Sequence, residues 1–545
     1  MRTVLLPIFS LIIGTASGQL VIDNATFFIG ENAVVTVQGN LQTNVAIQAG
    51  GAGVSQGKIQ MKGSGLQTIT ASGANAAIPH LEIDNASHVT LGGSFDLLVN
   101  SRINFVNGRF QLAGRNLILP DNVTIAGATA ARFLETNGAG EVRQMVPINL
   151  VAPKVLPIGT GANYTPATYN VTGATVNASS YIGLRATGTA VPVPTRHPRA
   201  ETYLATAWNV NRSTITGGTV NVQGTYVDGQ ITGPTETDIV GMFWNGTTWS
   251  TAGGAQDAAT NTVAANASGN GLVYGMNKFI LANLKTFLQG SYNSATGLMR
   301  DQLRTTSADY TPGLPASSPL IPLNDPYRTG DYSAFFPHTA NATAESIAGT
   351  VLNNTTNASD NIVDWVFLEL RTNANPSTVL QTRSALIQRD GDVVDIDGAS
   401  PVYFKNVDGA NYNVAVKHRN HVGVRTASAT ALNLTQPVTQ INLSSAAANY
   451  LNSNVAQLNP GVFGLFGGNA NKNTNTRISG PDGVTSDYEF LKAFIGALAQ
   501  VAGYSSSDVN MNRNARISGA DATISDFEFI KAVLGSTAQR AQGAL

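Results

Sequence analysis

From residue 20 to about residue 148 the chain is written in short alternating segments, interrupted at close and fairly regular intervals by Gly and Asn. Residues 34–37 (VVTV), 80–83 (HLEI), 89–91 (VTL), 109–112 (RFQL) and 116–119 (NLIL) are examples. A period of two puts one side of each segment into a core and the other into solvent. Segments this short cannot bury a core alone, so they must stack. The pattern predicts a β-solenoid whose coils lay their apolar sides on one another, with a Greek-key sandwich as the alternative.

Beyond residue 150 the spacing lengthens. Residues 244–249 (WNGTTW) place an Asn-Gly pair between aromatic residues, a hairpin signal in which Trp244 and Trp249 meet across the strands. The same pair is a candidate carbohydrate platform. Residues 191–198 (VPVPTRHP) read as an extended loop. A third stretch opens at residues 284–288 and passes through a Pro-rich loop at 312–326. It then offers strands at 363–370, 384–387 and 412–416. Two groups here invite metal chemistry. His418 and His421 lie three apart, which on a single strand turns them to opposite faces and suits chelation poorly. Asp390, Asp392, Asp395 and Asp397 crowd a Gly-containing hairpin, where solvated turn carboxylates are the ordinary outcome.

Composition narrows the class. The chain has 545 residues, no Cys, 55 Gly, and 32 basic against 33 acidic residues. No disulfide framework or thiol chemistry is available, and no basic stripe marks a nucleic-acid partner. Arg2, the apolar run 4–13 and the small residues Ala16, Ser17 and Gly18 read as a secretory signal cut near residue 18 or 19. No later apolar run is long enough for a membrane span. Nucleophile elbows, zinc-protease helices and phosphate loops do not occur, and acids on residues 21–148 are few and scattered, so no enzyme is expected.

The end of the chain repeats itself. Residues 469–496 (NANKNTNTRISGPDGVTSDYEFLKAFIG) return as residues 508–535 (DVNMNRNARISGADATISDFEFIKAVLG). Side-chain oxygens recur at alternate positions: Asn469, Asn471, Asn473 and Asn475, then Asp508, Asn510, Asn512 and Asn514. Asp487 and Asp526 follow at helix starts, where Ser486 with Glu489 and Ser525 with Glu528 form capping boxes. A hard cation such as Ca²⁺ takes about six to eight oxygens. Alternating Asx residues in a tight loop aim several at one point. The apolar positions Tyr488, Leu491, Phe494, Ile495 and Phe527, Ile530, Val533, Leu534 follow helical spacing. Weak Ca²⁺ binding is expected, more in the second loop, which opens on Asp508, than in the first, where only Asp482 and Asp487 carry charge.

This tandem pattern resembles dockerin modules, in the diverged form found at the ends of Bacteroidota extracellular proteins. Asp508, Asn510 and Asn512 match the first three ligand positions, Asn514 offers its carbonyl, and the closing acid is delayed to Asp526, with Asp487 its counterpart. The turn Gly of such loops is Arg513 here and Thr474 in the first repeat. Residues 106–117 resemble the rungs of Bacteroidota surface proteins, and 156–160 with 164–166 a junction seen in them. Residues 364–366, 389–391 and 416–424 resemble a module found before dockerin-like ends.

The resemblance implies a mainly β protein. A signal segment (1–19) precedes a β-solenoid-like domain (20–150), β-sandwiches at 151–283 and 284–448, an α-helical dockerin-like module (455–537) and a tail (538–545). The function expected is a non-catalytic, secreted or cell-surface structural or adhesive protein, alternatively a self-assembling filament, sheath or surface-layer subunit, and as a second alternative a polysaccharide-active enzyme. Its partners would be other surface proteins, like subunits or polysaccharide. No separate type IX sorting sandwich is evident at the end, so another export route, or a periplasmic location, is expected.

Overall fold

A computed structural model of the protein describes residues 18–147, 152–192, 196, 200–304, 319–353, 356–434, 438–480, 485–519 and 524–541. The leader-like segment 1–17, residues 312–318 of the Pro-rich loop and Asp482 lie outside them. The chain forms two compact units, Met1–Lys278 and Phe279–Leu545.

The first unit begins as a β-solenoid. Leu20–Ile22, Leu41–Thr43, Gln67–Ala71, Val89–Gly93, Phe110–Gln111, Leu134–Glu135 and Ile158–Thr160 stack in parallel as one wall. Val34–Val37, Lys58–Met61, Ala77–Asp84, Leu97–Asn107, Leu117–Leu119 and Val142–Met145 form another. Alternation does what the sequence requires of it: Ile59, Met61, Ile69, Leu81, Ile83, Val99 and Ile103 point into the core. Corners turn tightly. Gly108 has φ +74°, and a Cβ there would meet the Asn85 carbonyl oxygen at 1.8 Å, so only Gly fits. The buried Asn85 amide donates to Gly65 O (2.8 Å) and Gln67 Oε1 (2.9 Å), satisfying groups that a corner would orphan.

The second wall then continues with antiparallel strands, Tyr181–Thr187, Tyr203–Ser213, Gly271–Asn277 and Ile239–Trp244. A five-stranded antiparallel sheet centred on Thr219–Thr225 packs against them. Trp208 is fully buried at this contact, its indole donates to Thr165 O (3.0 Å), and Gly224 leaves room for its ring. Trp244 pairs with Trp249 across the Asn-Gly hairpin, ring centroids 5.3 Å apart. Trp249 is 4% exposed and packs on Tyr274, so this pair is hairpin and core material rather than an open platform.

The second unit is built on an antiparallel sheet ordered Val402–Lys405, Phe279–Lys285, Asp392–Val394, Val379–Gln388, Ile362–Thr372, Ala410–His418, His421–Arg425. Its central strand Ile362–Thr372 is buried on both faces along all but its last residue. The charged residues it carries inward are paired: Glu369 with Arg371 and Lys417, and Asp364 with Arg419 and His418. The acidic hairpin does not converge on one point. Asp392 pairs with Lys285, Asp395 takes Arg383, and Asp397 accepts the Ala399 and Ser400 amides.

Two helices, α1 (Asp487–Ile495) and α2 (Asp526–Leu534), belong to the same unit. Each starts at a serine N-cap, Ser486 or Ser525, and stops at a glycine with positive φ, Gly496 (+61°) or Gly535 (+56°). The repeats interlock. Asn475–Thr476 of the first pairs with Arg540–Ala541 after α2, and Asn514–Ala515 of the second pairs with Val501–Ala502 after α1. The equivalent residues Tyr488 and Phe527 stack on each other at 4.3 Å.

Among the described residues no helix is long and apolar enough to cross a membrane.

Candidate metal centre

Each Asx-rich loop wraps around the acid at the start of its own helix. In the first, Asp487 accepts the Asn471 amide (3.1 Å) and the Arg477 amide (2.8 Å). In the second, Asp526 accepts from Val509 (2.7 Å), Asn510 (3.3 Å) and Arg516 (2.8 Å). Asp508 accepts from Asn512 and Arg513, both at 2.9 Å. Asn471 and Asn510 each donate to the carbonyl just before the N-cap, Thr485 O (2.7 Å) and Ile524 O (2.6 Å). Asn473 Oδ1 and Asn512 Oδ1 accept from the amides of Asn475 (2.8 Å) and Asn514 (3.3 Å). Lys472, Met511 and Arg513 make these turns at φ +66°, +57° and +86°, so side-chain-bearing residues adopt the left-handed backbone that glycine usually supplies.

The electrostatics of the loops differ. Asp508 and Asp526 are both fully buried at the two ends of the same loop, and Asp526 accepts the amides of Val509 and Asn510, which directly follow Asp508. Burial, and then the Asp508 charge, pushes Asp526 well above the usual carboxylate range. Burial likewise raises Asp508, against the pull of Arg419. Asn510 Oδ1 and Asn514 Oδ1 are buried with no hydrogen-bond partner. A buried amide oxygen left unpaired costs about 1–3 kcal/mol. Two carboxylates and two unpartnered amide oxygens in one loop are hard, oxygen-only donors of the kind Ca²⁺ takes. In the first loop Asn469 Oδ1 and Asn475 Oδ1 are similarly unpartnered, beside the single described carboxylate Asp487. Among the described residues no three His, Asp or Glu side chains gather where they would hold a metal. A site here would therefore rest on amide and carbonyl oxygens around two acids.

What the sequence did not disclose is where these loops are held. His418 and His421 do not sit on one strand facing apart. The chain turns between them, they pair across the turn, and their Nδ1 atoms are 3.0 Å apart in a fully buried position. His421 Nε2 accepts the Gly290 amide (2.9 Å) and is therefore unprotonated, which leaves its proton on Nδ1. His418 Nε2 then donates to Asp364 Oδ2 (3.2 Å). Between the two histidines, Arg419 is fully buried, its Nε donates to Asp364 (2.9 Å), and its Nη1 reaches Ser505 O just before the second repeat. The Asn420 amide donates to Asp508 O (2.7 Å), and Asn420 O accepts from the Asn469 amide (3.0 Å). Arg513, where a calcium loop would carry Gly, runs the other way and donates to Gln302 O and Arg304 O (both 3.0 Å). Met511 enters the sheet's own core. The available signal was a cluster of charged residues set in apolar strand sequence, His418–Arg419–Asn420–His421.

Comparison with known protein families, curated proteins and solved structures returns no match.

Proposed function

We propose that this is a non-catalytic, secreted or cell-surface structural or adhesive protein, with polysaccharide or other surface proteins as partners. Its dockerin-like C-terminal pair binds Ca²⁺ in the second loop and serves as an intramolecular clasp. The mainly β, multidomain architecture is consistent with a structural role. One observation carries the calcium reading: Asp508 and Asp526 are buried in the same loop as the unpartnered oxygens of Asn510 and Asn514. Bound Ca²⁺ would supply the positive charge that these acids lack. Asp508, Asn510, Asn512, Asn514 and Asp526 would hold it. Asn469, Asn471, Asn473, Asn475 and Asp487 would hold a weaker ion in the first loop. The clasp reading is supported by the side chains already committed to the sheet: Arg513 and Met511 point into the β-unit rather than outward to a partner.

The test is a calcium titration of the full chain followed by thermal unfolding. Saturation at about one hundred times Kd stabilises a folded protein by about 2.7 kcal/mol. The melt should rise with Ca²⁺ in the wild type and stay flat in Asp508→Asn/Asp526→Asn. The calcium-dependent shift, not the absolute melt, is the readout, because each Asn loses a buried charge but also turns an NH2 toward a backbone amide that the Asp oxygen accepts. A wild-type melt identical in Ca²⁺ and in chelator rules the site out.

A second reading, self-assembly, has its own support. Among the described residues Leu20–Ile22, Phe28–Ile29 and Val34–Val37 each pair on one side only, and Val21, Phe28 and Val34 are 51%, 64% and 47% exposed. Unpaired apolar strand edges add further strands readily. Sedimentation across a concentration series tests it. A monomer at all concentrations removes it.

A further inference from the structure

The two C-terminal repeats share a pattern but not a fate. On α2 the positions Phe529 and Val533 are covered by the unit's own Val422, Ala456 and Phe466. Their counterparts on α1 are Phe490 and Phe494, and these line an open cleft of about 310 Å³, Phe494 being 40% exposed. Asp331, Tyr332, Ser505 and Ser506 line the same cleft.

Lys472 is the telling member. It is 8% exposed, and its ammonium sits over the rings of Phe490 (4.5 Å), Phe335 (5.4 Å) and Tyr332 (5.6 Å). Its hydrogen-bond partner is the Ser506 hydroxyl at a long 3.4 Å. In the second repeat the same backbone position, with the same left-handed φ, is Met511. A buried ammonium has therefore been placed in this cleft where the repeat itself accepts an apolar side chain.

We propose that this cleft binds a neutral sugar unit of a polysaccharide, a proposal that rests on the polysaccharide-partner reading above. A pyranose has an apolar C–H face and a rim of hydroxyls that both donate and accept. The cleft offers the complement: an aromatic wall at Phe494 and Phe490, a strong donor at Lys472, a carboxylate acceptor at Asp331, and serine hydroxyls between them. The opposite charges of Lys472 and Asp331 favour a neutral ligand over an anionic one. The volume lies at the lower end of the ~300–1,000 Å³ typical of small-molecule sites. That admits one or two sugar rings and not a helix.

The test is affinity electrophoresis of the full chain through gels containing laminarin, mannan, xylan or alginate. At least one of the three neutral polysaccharides should retard the protein. Phe494→Ala and Lys472→Met should each weaken that retardation roughly tenfold, the weight of one stacked ring or one charged hydrogen bond. Both variants should keep the wild-type helical ellipticity, and neither substitution removes a ligand of the second loop, so the calcium response should be unchanged. Because calcium response is read separately, failure here and failure of the clasp are distinguishable. No retardation by any neutral polysaccharide, retardation by alginate alone, or retardation that survives both substitutions would each overturn the proposal.

Discussion

Tyr504 Oη donates a 2.7 Å hydrogen bond to Asp364 Oδ1, joining the segment between the two C-terminal repeats to the central strand of the β-sheet, 140 residues earlier. The same carboxylate accepts Arg419 Nε and His418 Nε2. Burial alone would raise Asp364, but Arg419, His418 and Tyr504 outweigh it and hold the carboxyl down at about 2. The repeats are thus fastened to the sheet through one buried anion.

Asp364→Asn should therefore cost on the order of 3–5 kcal/mol, because it strands the buried Arg419 without a counter-charge. Tyr504→Phe removes one hydrogen bond and should cost about 1–2 kcal/mol. Urea unfolding followed by both tryptophan fluorescence and helical ellipticity reads these. In the wild type the second unit should lose both signals together. A helical signal that melts alone, with Asp364→Asn leaving the sheet untouched, would contradict the fastening.

Gly290 packs directly against the backbone of the second Asx-rich loop. A Cβ on residue 290 would meet Val509 O at 2.2 Å, and the Gly290 amide is the one His421 accepts. Gly290→Ala should push the loop away and lower stability by about 1–3 kcal/mol, the range for overpacking. Its calcium response should fall with it. Faster amide exchange at residues 508–514 is the direct readout, and unchanged exchange would show that the loop does not depend on this contact.

Buried histidines make the second unit sensitive to acid. Burial lowers His418 and His421, the latter well below the ordinary imidazole value, and lowers His338 to about 4. A base whose folded pKa is depressed is protonated more readily in the unfolded chain. Its contribution is whole above the unfolded pKa near 6.5 and is lost as pH falls through the folded value. Each such group gives about 1.4 kcal/mol per pH unit across its window. Asp325, raised by burial to about 6, works in the opposite direction between about pH 4 and 6, as do Asp508, raised by burial to about 7, and Asp526, raised by burial and then by the Asp508 charge. On going from pH 7.5 to 5.0 the change in stability should be less unfavourable in His421→Gln than in the wild type, because the glutamine oxygen replaces the acceptor for Gly290 and does not titrate. Equal changes would assign the acid sensitivity elsewhere.

Trp249→Ala should lower the stability of the first unit by about 3–5 kcal/mol, since it empties a buried site between Trp244 and Tyr274. Polysaccharide retardation should survive it. Lost binding with an unchanged melt would move the recognition surface to this hairpin.

Much of the architecture was legible in the chain. Period-two alternation broken by Gly and Asn forces short stacked strands, because such segments have one apolar side and no length to bury it alone. Trp244-Asn245-Gly246 fixes a tight hairpin through the backbone that Asn and Gly permit. Ser486 and Ser525 start helices, and Gly496 and Gly535 end them, by local chemistry at each position. These are near-neighbour effects, and the residues that cause them lie beside one another. The alternating Asx oxygens of both loops were legible for the same reason. The tertiary structure alone decided which oxygens are buried and which faces are covered. Asp508 is desolvated because the His418–His421 turn and the 289–304 segment close over its loop, and no local pattern encodes that. Phe490-Phe494 and Phe529-Val533 look alike in sequence, yet one pair lines an open cleft and the other is packed away. The difference comes from Val422, Ala456 and Phe466, which meet α2 only once the sheet has formed. Long-range contacts assign such fates, and a sequence read position by position does not contain them.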